Sequence, residues 1–108
     1  MDLTRALASG GRAEVDFAGT VATSPRYFFG THTRCEHETF AVRTSAGTID
    51  VVENLALAKP VSVHPGDAIQ VRGELVHDAS RAVVHWTHRD PAHHHPDGFI
   101  RFRGQIYA

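Results

Sequence analysis

The feature that most constrains the fold is a series of short segments in which apolar residues occupy every second position. In residues 13–23, Val15, Phe17 and Val21 follow this period and Gly19 interrupts it. This pattern is typical of a half-buried strand with a bend or bulge. Similar reasoning predicts further strands at 39–44, 48–52, 68–75, 81–87, 99–102 and 105–107. The sequence therefore predicts an all-β fold.

Turn-forming residues separate these predicted strands. Residues 45–47 and 103–104 each contain a glycine between two strand segments and predict hairpins. Residues 77–80 predict another turn, and residues 24–38, which lack a sustained period, predict a long connection. Residues 53–60 predict a brief helix or turn that ends before Pro60.

The brief helix or turn predicted at residues 53–60 lies between the third and fourth predicted strands, where an oligonucleotide/oligosaccharide-binding (OB) barrel places its helix. We therefore expect a small OB-like barrel of five strands with a C-terminal β-hairpin, forming a single domain over residues 13–108. Helix formers before Gly10 and Gly11 predict a short N-terminal helical arm over residues 1–12. A chain of 108 residues leaves no room for a second domain.

Charge and targeting signals narrow the functional classes. The chain has 11 Lys and Arg against 12 Asp and Glu, a net charge of −1, so bulk electrostatics do not favour nucleic acid as a partner. No secretory signal pattern and no long apolar run is present, which predicts a cytoplasmic protein without a membrane partner. The single cysteine, Cys35, fits a reducing compartment.

Histidine is unusually concentrated in one part of the chain. Five of the nine histidines lie within the eleven residues that include the end of the predicted strand 81–87 and precede Pro96: His85, His88, His93, His94 and His95. Imidazoles and carboxylates are the ligands that zinc and similar divalent metals prefer. One interpretation is therefore a metal site formed by His85, His88 and His95, with Asp90 as a further candidate ligand.

Two other interpretations use the same residues without a metal. In the first, His85 or His88 acts as general acid or base, Asp90 orients the imidazole, and Arg89 or Arg34 neutralises an anionic ligand such as a phosphoester. In the second, the polar side chains only order the loop.

Two further candidates lie outside this segment, and one aromatic residue lies within it. His37, on the long connection, could approach the histidine-rich loop through folding. Arg26, Tyr27 and Phe28 combine a cation with aromatic rings, as in proteins that stack on single-stranded nucleic acid. Trp86, predicted to share a strand face with Val84, is expected in the core.

The segments 85–91 and 95–98, of sequence HWTHRDP and HPDG, resemble the end of an uncharacterised bacterial family, domain of unknown function 3465. Upstream, His37 with Phe40, Asn54, and the pairs at 66–67 and 73–74 are similar to it as well. The resemblance spans roughly residues 13–108, with Phe99 where the family tends to have tryptophan. It implies an OB-like barrel but no activity, and since the family often looks exported it leaves export open. It implies these site residues: His37, Asn54, His85, His88, Asp90 and His95.

The sequence as a whole predicts a domain that binds a small anionic ligand or a metal at a histidine-rich site, with phosphoester hydrolysis as the reaction to consider. The predicted ligand-binding residues are His37, Asn54, Arg89, Arg34 and Tyr27. The alternative is a non-catalytic module that binds single-stranded nucleic acid or another protein.

Overall fold

The computed structural model describes residues 2–78 and 81–108. Within them the chain forms one helix and eight strands, which are α1 (Leu3–Ser9), β1 (Ala13–Val21), β2 (Arg26–Gly30), β3 (Cys35–Thr44), β4 (Gly47–Asn54), β5 (Ala68–Asp78), β6 (Arg81–His85), β7 (Phe99–Phe102) and β8 (Gln105–Tyr107). The fold is mostly β, as predicted. No helix in the described part of the chain is long and apolar enough to cross a membrane.

The strands form because their alternating apolar side chains can be buried on one face. Val15, Phe17 and Val21 of β1 are buried, as the period of two predicts. In the β3–β4 hairpin, Phe40 lies opposite Val51 and both are buried. The C-terminal hairpin is also confirmed, since β7 pairs with β8.

The strands pair in the order β1-β3-β4-β6-β5-β7-β8, and β5 also pairs with β1. Five strands, β1, β3, β4, β6 and β5, therefore pair in a closed cycle around the core. The β4–β6 pair is parallel, whereas β1 pairs antiparallel with both β3 and β5. Strand β2 extends the sheet from β3, and the C-terminal hairpin extends it from β5.

The prediction of five strands plus a terminal hairpin is wrong, because the described residues contain eight strands. The additional strand, β2, lies in the segment 24–38 that was predicted as a connection. Aromatic residues favour strands, and here they pair antiparallel with the first half of β3, from Arg26 opposite Thr39 to Gly30 opposite Cys35.

The segment 53–60 contains no helix. Strand β4 continues to Asn54, whose carbonyl oxygen accepts hydrogen bonds from the N–H groups of Leu57 and Ala58. Asn54 therefore closes a turn in the segment for which the sequence predicts either a brief helix or a turn. Within the described residues α1 is the only helix, and its Leu3 and Ala6 are buried in the core.

Several strand boundaries differ from prediction, among them the ends of β5 and β6. His77 and Asp78 belong to β5 instead of a turn, while Ala79 and Ser80 of the same predicted turn lie outside the described residues. Strand β6 ends at His85, two residues early, because Trp86 has a φ of 59° in the left-handed region. Trp86 therefore does not continue the buried face of Val84, and it is half-buried rather than a core residue.

Candidate functional site

A pocket of about 330 Å³ lies beside the end of the β3–β4 ladder, and we call it the histidine pocket. Its walls come from the turn after β2, from β3 and β4, and from the segment that leaves β6. The lining residues are Thr33, His37, Val52, Asn54, Leu57, His85, Trp86 and His88. Four predicted site residues, His37, Asn54, His85 and His88, thus meet around one cavity.

The two buried histidines of the pocket are oriented by main-chain carbonyl groups. His37 Nδ1 lies 3.1 Å from the carbonyl oxygen of Cys35, and His88 Nδ1 lies 2.8 Å from that of Arg89. A carbonyl oxygen only accepts, so each Nδ1 carries a hydrogen. In the neutral ring this leaves the lone pair on Nε2, which can accept a proton or bind a metal.

Hydrogen bonds also fix the orientation of the Asn54 side-chain amide. Its Oδ1 accepts hydrogen bonds from the N–H of Ala56 at 2.9 Å and from the thiol of Cys35 at 3.2 Å. The amide nitrogen of Asn54 therefore remains available to donate. The pocket combines this donor with imidazole lone pairs and with the apolar walls of Val52 and Leu57.

Trp86 forms the wall between the histidine pocket and a second polar cluster. Its ring stacks on that of His95 at a centroid distance of 4.3 Å and lies 5.5 Å from that of His88. The returning chain passes directly against it at Gly98, where a Cβ atom would collide with the Trp86 carbonyl oxygen. Gly98 N–H also donates to the carbonyl oxygen of His88, at 2.8 Å.

The second cluster consists of Glu14, Glu74 and His95, and we call it the carboxylate–imidazole cluster. One ligand atom from each of the three lies within 4.8 Å of the others. The Glu74 carboxylate also contacts His85 Nε2 at 2.9 Å and Arg12 Nη1 at 3.1 Å. Glu14 and Glu74 are directly opposite each other in the β1–β5 register.

The charges of this cluster shift the pKa values of its members in opposite directions. Burial favours the neutral form of Glu74, but hydrogen bonds from His85 and His95 outweigh it and lower the pKa of Glu74. Burial favours the neutral form of His95 as well, which by itself would lower the pKa of this imidazole. The hydrogen bonds of His95 to the Pro96 carbonyl and to Glu74, together with the charges of Glu14 and Glu74, outweigh burial and raise the pKa of His95.

The three histidines predicted as metal ligands are therefore divided between two places. His95 is part of the carboxylate–imidazole cluster, His85 contacts its Glu74, and His88 lines the histidine pocket. Sequence reasoning missed Glu14 and Glu74 because only the β1–β5 register brings them together.

Asp90, predicted to orient a histidine side chain, contacts the main chain instead. Its buried carboxylate accepts hydrogen bonds from the N–H groups of Ala92, His94 and His95 at 2.9, 2.7 and 2.7 Å. Burial opposes ionisation, but these main-chain bonds outweigh it and lower the pKa of Asp90. Asp90 thus shapes the loop that presents His95.

The remaining predicted ligand-binding residues lie away from the histidine pocket. Arg34 and Arg89 are exposed and do not line it. Tyr27 lines a different groove and donates its hydroxyl to Glu38 Oε2 at 3.0 Å.

Two buried acids, Glu38 and Glu53, were missed altogether. Both are 0% exposed, and they face each other across the β3–β4 ladder. Their positions continue the buried alternation of Phe40 in β3 and Val51 in β4, so the period of two could have placed them in the core. Burial, with a smaller contribution from the charge of Glu38, raises the pKa of Glu53 to about 8.

A family model described as Protein of unknown function (DUF3465) matches residues 12–108. The chain belongs to this family. The match confirms the resemblance seen in the sequence, and both polar clusters of this DUF3465 protein lie within the matched residues. A search of curated proteins found no match.

Proposed function

We propose that this DUF3465 protein is an OB-type barrel that binds a small ligand in the histidine pocket. The barrel assignment is supported by the closed cycle of β1, β3, β4, β6 and β5. An OB barrel has five strands, and its closure leaves loops and strand ends at the rim as ligand sites. The parallel β4–β6 pair brings the end of β4 beside the segment that leaves β6.

The observation that carries the proposal is the convergence of His37, Asn54 and His88 on one cavity. Each is held by a hydrogen bond to the main chain, so the polar atoms facing a ligand are preorganised. A concave site with apolar walls and a few convergent polar groups is the usual form of a small-molecule site.

A phosphoester is the ligand class that we would test first, with hydrolysis as the reaction. The Asn54 amide can donate to a phosphate oxygen, and a neutral imidazole can take a proton on Nε2. In such a reaction water attacks phosphorus, its proton passes to His88 Nε2, and the bond from phosphorus to the leaving oxygen breaks. The leaving oxygen keeps the bonding electron pair and takes up a proton from solvent, and His88 Nε2 releases its proton to solvent.

A divalent metal at the carboxylate–imidazole cluster is the second part of the proposal. Glu14, Glu74 and His95 supply two carboxylates and one imidazole, a donor set suited to zinc and related metals. His95 Nδ1 lies 2.9 Å from the Pro96 carbonyl oxygen, the outer-shell contact common for a ligating imidazole. A bound metal would supply a Lewis acid next to His85 and Trp86, which both line the histidine pocket.

Ligand binding can be measured through Trp86, which is the single tryptophan of the chain. We expect phenyl phosphate to change its fluorescence saturably, and His88→Ala and Asn54→Ala to weaken binding about tenfold each, the effect of one lost hydrogen bond. His93→Ala, an exposed histidine of the same loop, is the matched control and should bind normally. The absence of saturable binding in the unmodified protein would contradict the phosphoester assignment.

Metal binding requires a separate experiment. Elemental analysis after equilibration with zinc and dialysis should give one bound metal, which Glu14→Gln and His95→Ala remove and His88→Ala retains. The double variant His93→Ala/His94→Ala controls for binding to exposed histidines. Equal zinc contents in the unmodified protein and in Glu14→Gln would exclude this cluster as the metal site.

The alternative function, binding of single-stranded nucleic acid, is favoured by one observation. A groove of about 580 Å³ is lined by Arg26, Tyr27, Phe28 and Arg81 among others. Tyr27 is 59% and Phe28 43% exposed, as required for stacking on bases. If the groove binds oligonucleotides, a labelled oligothymidine should bind with strong salt dependence and lose affinity in Tyr27→Ala/Phe28→Ala.

A further inference from the structure

The acid pair Glu38 and Glu53 lies behind the histidine pocket, inside the core. In the β3–β4 ladder the pair is directly followed by His37 opposite Asn54. Successive side chains of a strand point to opposite faces, so the acids and the pocket residues share the same two strands but occupy opposite faces. A change at the acid pair therefore acts on the strand ends that carry the pocket.

The contacts of Thr87 depend on the protonation state of Glu53. Thr87 Oγ1 lies 2.9 Å from Glu53 Oε1 and 3.1 Å from the carbonyl oxygen of Val52. A hydroxyl has one hydrogen to donate, and a carbonyl oxygen can only accept. With an ionised Glu53, Thr87 must share its one hydrogen between two acceptors. With a neutral Glu53, Thr87 can donate to Val52 and accept from the acid proton, so that each contact has its own hydrogen, and the burial of Glu53 favours this neutral form.

The surroundings of Glu38 fit the opposite state. Its Oε1 accepts from the N–H of Val61 at 2.9 Å and its Oε2 accepts from the hydroxyl of Tyr27 at 3.0 Å. Burial raises the pKa of Glu38, and the two donors offset part of this effect by favouring the ionised form. Among the described residues, the titratable groups that contact the pair are Tyr27 from β2 and the two acids themselves. When Glu38 is ionised, a second negative charge on Glu53 is unfavourable.

Thr87 links the acid pair to the pocket. It stands between Trp86 and His88, which both line the histidine pocket, and its hydroxyl contacts β4 on the other side. Trp86 has a φ of 59°, an unfavourable backbone conformation for a bulky residue that persists only when its neighbours hold it. The Glu53–Thr87–Val52 chain of hydrogen bonds supplies such a contact.

We infer that Glu53 is a positioning residue whose proton, donated to Thr87, holds the Trp86–His88 segment against β4 and so shapes one wall of the histidine pocket. Loss of that proton leaves Thr87 with a single hydrogen for two acceptors and places a second negative charge beside Glu38. The wall then moves, and a ligand that binds in the pocket loses affinity. The inference does not depend on the proposed ligand, because Trp86 in this segment reports the protonation state of Glu53 in the absence of any ligand.

The fluorescence of Trp86 tests this inference without any ligand. In the unmodified protein we expect a change in emission with its midpoint at about pH 8, which is separate from any change caused by the stacked His95 imidazole and is retained in His95→Ala. Glu53→Gln keeps an N–H donor in place of the acid proton and should lose the transition at about pH 8. An identical transition in Glu53→Gln would overturn the inference.

Two matched variants identify the source of the transition. Glu36→Gln removes an exposed acid from the same strand as Glu38 and should titrate like the unmodified protein. Cys35→Ser removes the thiol whose Sγ lies 3.2 Å from Asn54 Oδ1, and it should also keep the transition. Disappearance of the transition in Cys35→Ser would assign it to the thiol and contradict our account.

A second measurement does not depend on any variant folding correctly. In carbon NMR, one glutamate carboxyl group should still have the chemical shift of a protonated acid at pH 7. Its chemical shift should change with a midpoint at about pH 8. Complete ionisation of every glutamate at pH 7 would overturn the inference. Phenyl phosphate binding is measured separately, so failure to bind it would count against the proposed ligand while leaving the test of Glu53 unaffected.

Discussion

Two glutamate pairs each lie across neighbouring strands, one pair partly exposed and the other inside the core, and their chemistry is opposite. Glu14 faces Glu74 across β1 and β5, and Glu38 faces Glu53 across β3 and β4. The pKa of Glu74 is lowered, mainly because hydrogen bonds from His85 and His95 outweigh burial. The pKa of Glu53 is raised to about 8, because burial dominates there.

The difference shows that the partners of a cross-strand acid pair decide its charge. Like charges directly opposite each other in a sheet are destabilising. At Glu74 that repulsion is offset by imidazole and guanidinium groups. At Glu53 the hydrogen-bonding side chain is the neutral Thr87, so the pair avoids repulsion by retaining a proton.

The largest expected effect concerns Glu53. Its pKa in the folded protein, about 8, exceeds its ordinary value of 4.5, so the folded state binds more protons between these values. The stabilisation is complete below pH 4.5 and is lost as the pH rises to about 8, at about 1.4 kcal/mol per pH unit. Denaturant unfolding as a function of pH should show this slope, and Glu53→Gln should remove it. A parallel slope in the variant would contradict a neutral Glu53.

Thr87→Val should have the next largest effect. It removes the hydroxyl that contacts both Glu53 and the Val52 carbonyl group, leaving buried polar atoms unpaired at a cost of about 2 kcal/mol. Thr87→Ser keeps the hydroxyl and serves as the matched control. Equal unfolding free energies for the two variants would show that the hydroxyl is not the stabilising group.

A smaller effect is expected for Glu74→Gln, about 1 kcal/mol or less, because solvent screens this cluster. The lowered pKa of Glu74 means that its stabilisation is lost as the pH falls through that value. The raised pKa of His95 means that its stabilisation is lost as the pH rises through that value. The difference in the free energy of unfolding between the unmodified protein and Glu74→Gln should therefore be greatest at intermediate pH. A difference that grows steadily towards low or high pH would argue against this ionic pairing.

Arg12→Ala should have the smallest effect. The Arg12 side chain is 75% exposed, so its ion pair with Glu74 contributes at most a few tenths of a kcal/mol. We expect thermal unfolding at low salt to detect this loss, and unfolding in concentrated salt to show none. An effect that persists in concentrated salt would indicate a packing role for the Arg12 side chain.

Much of the sheet could be predicted from the period of two, since Val15, Phe17 and Val21 are buried as the pattern requires. Strand β2 could not, because three consecutive aromatic residues show no alternation and become a strand only by pairing with β3. The end of β6 was missed for a similar reason. Nothing local in the sequence indicates that Trp86 leaves the strand in the left-handed region.

The sequence led to the residues of the histidine pocket more reliably than to their roles. His37, Asn54, His85 and His88 line the pocket, although the first two are distant in sequence from the others. Asp90 has a main-chain role that spacing alone could not show. Glu14 and Glu74 act together only through the register of strands that are far apart in the chain.

The most direct test of the histidine pocket is an NMR titration of the nine imidazole rings with phenyl phosphate. The account predicts saturable changes at His37 and His88, while the exposed His64, His93 and His94 remain unaffected. Changes confined to those exposed rings, or equal and unsaturable changes at all nine, would contradict a ligand site in the histidine pocket.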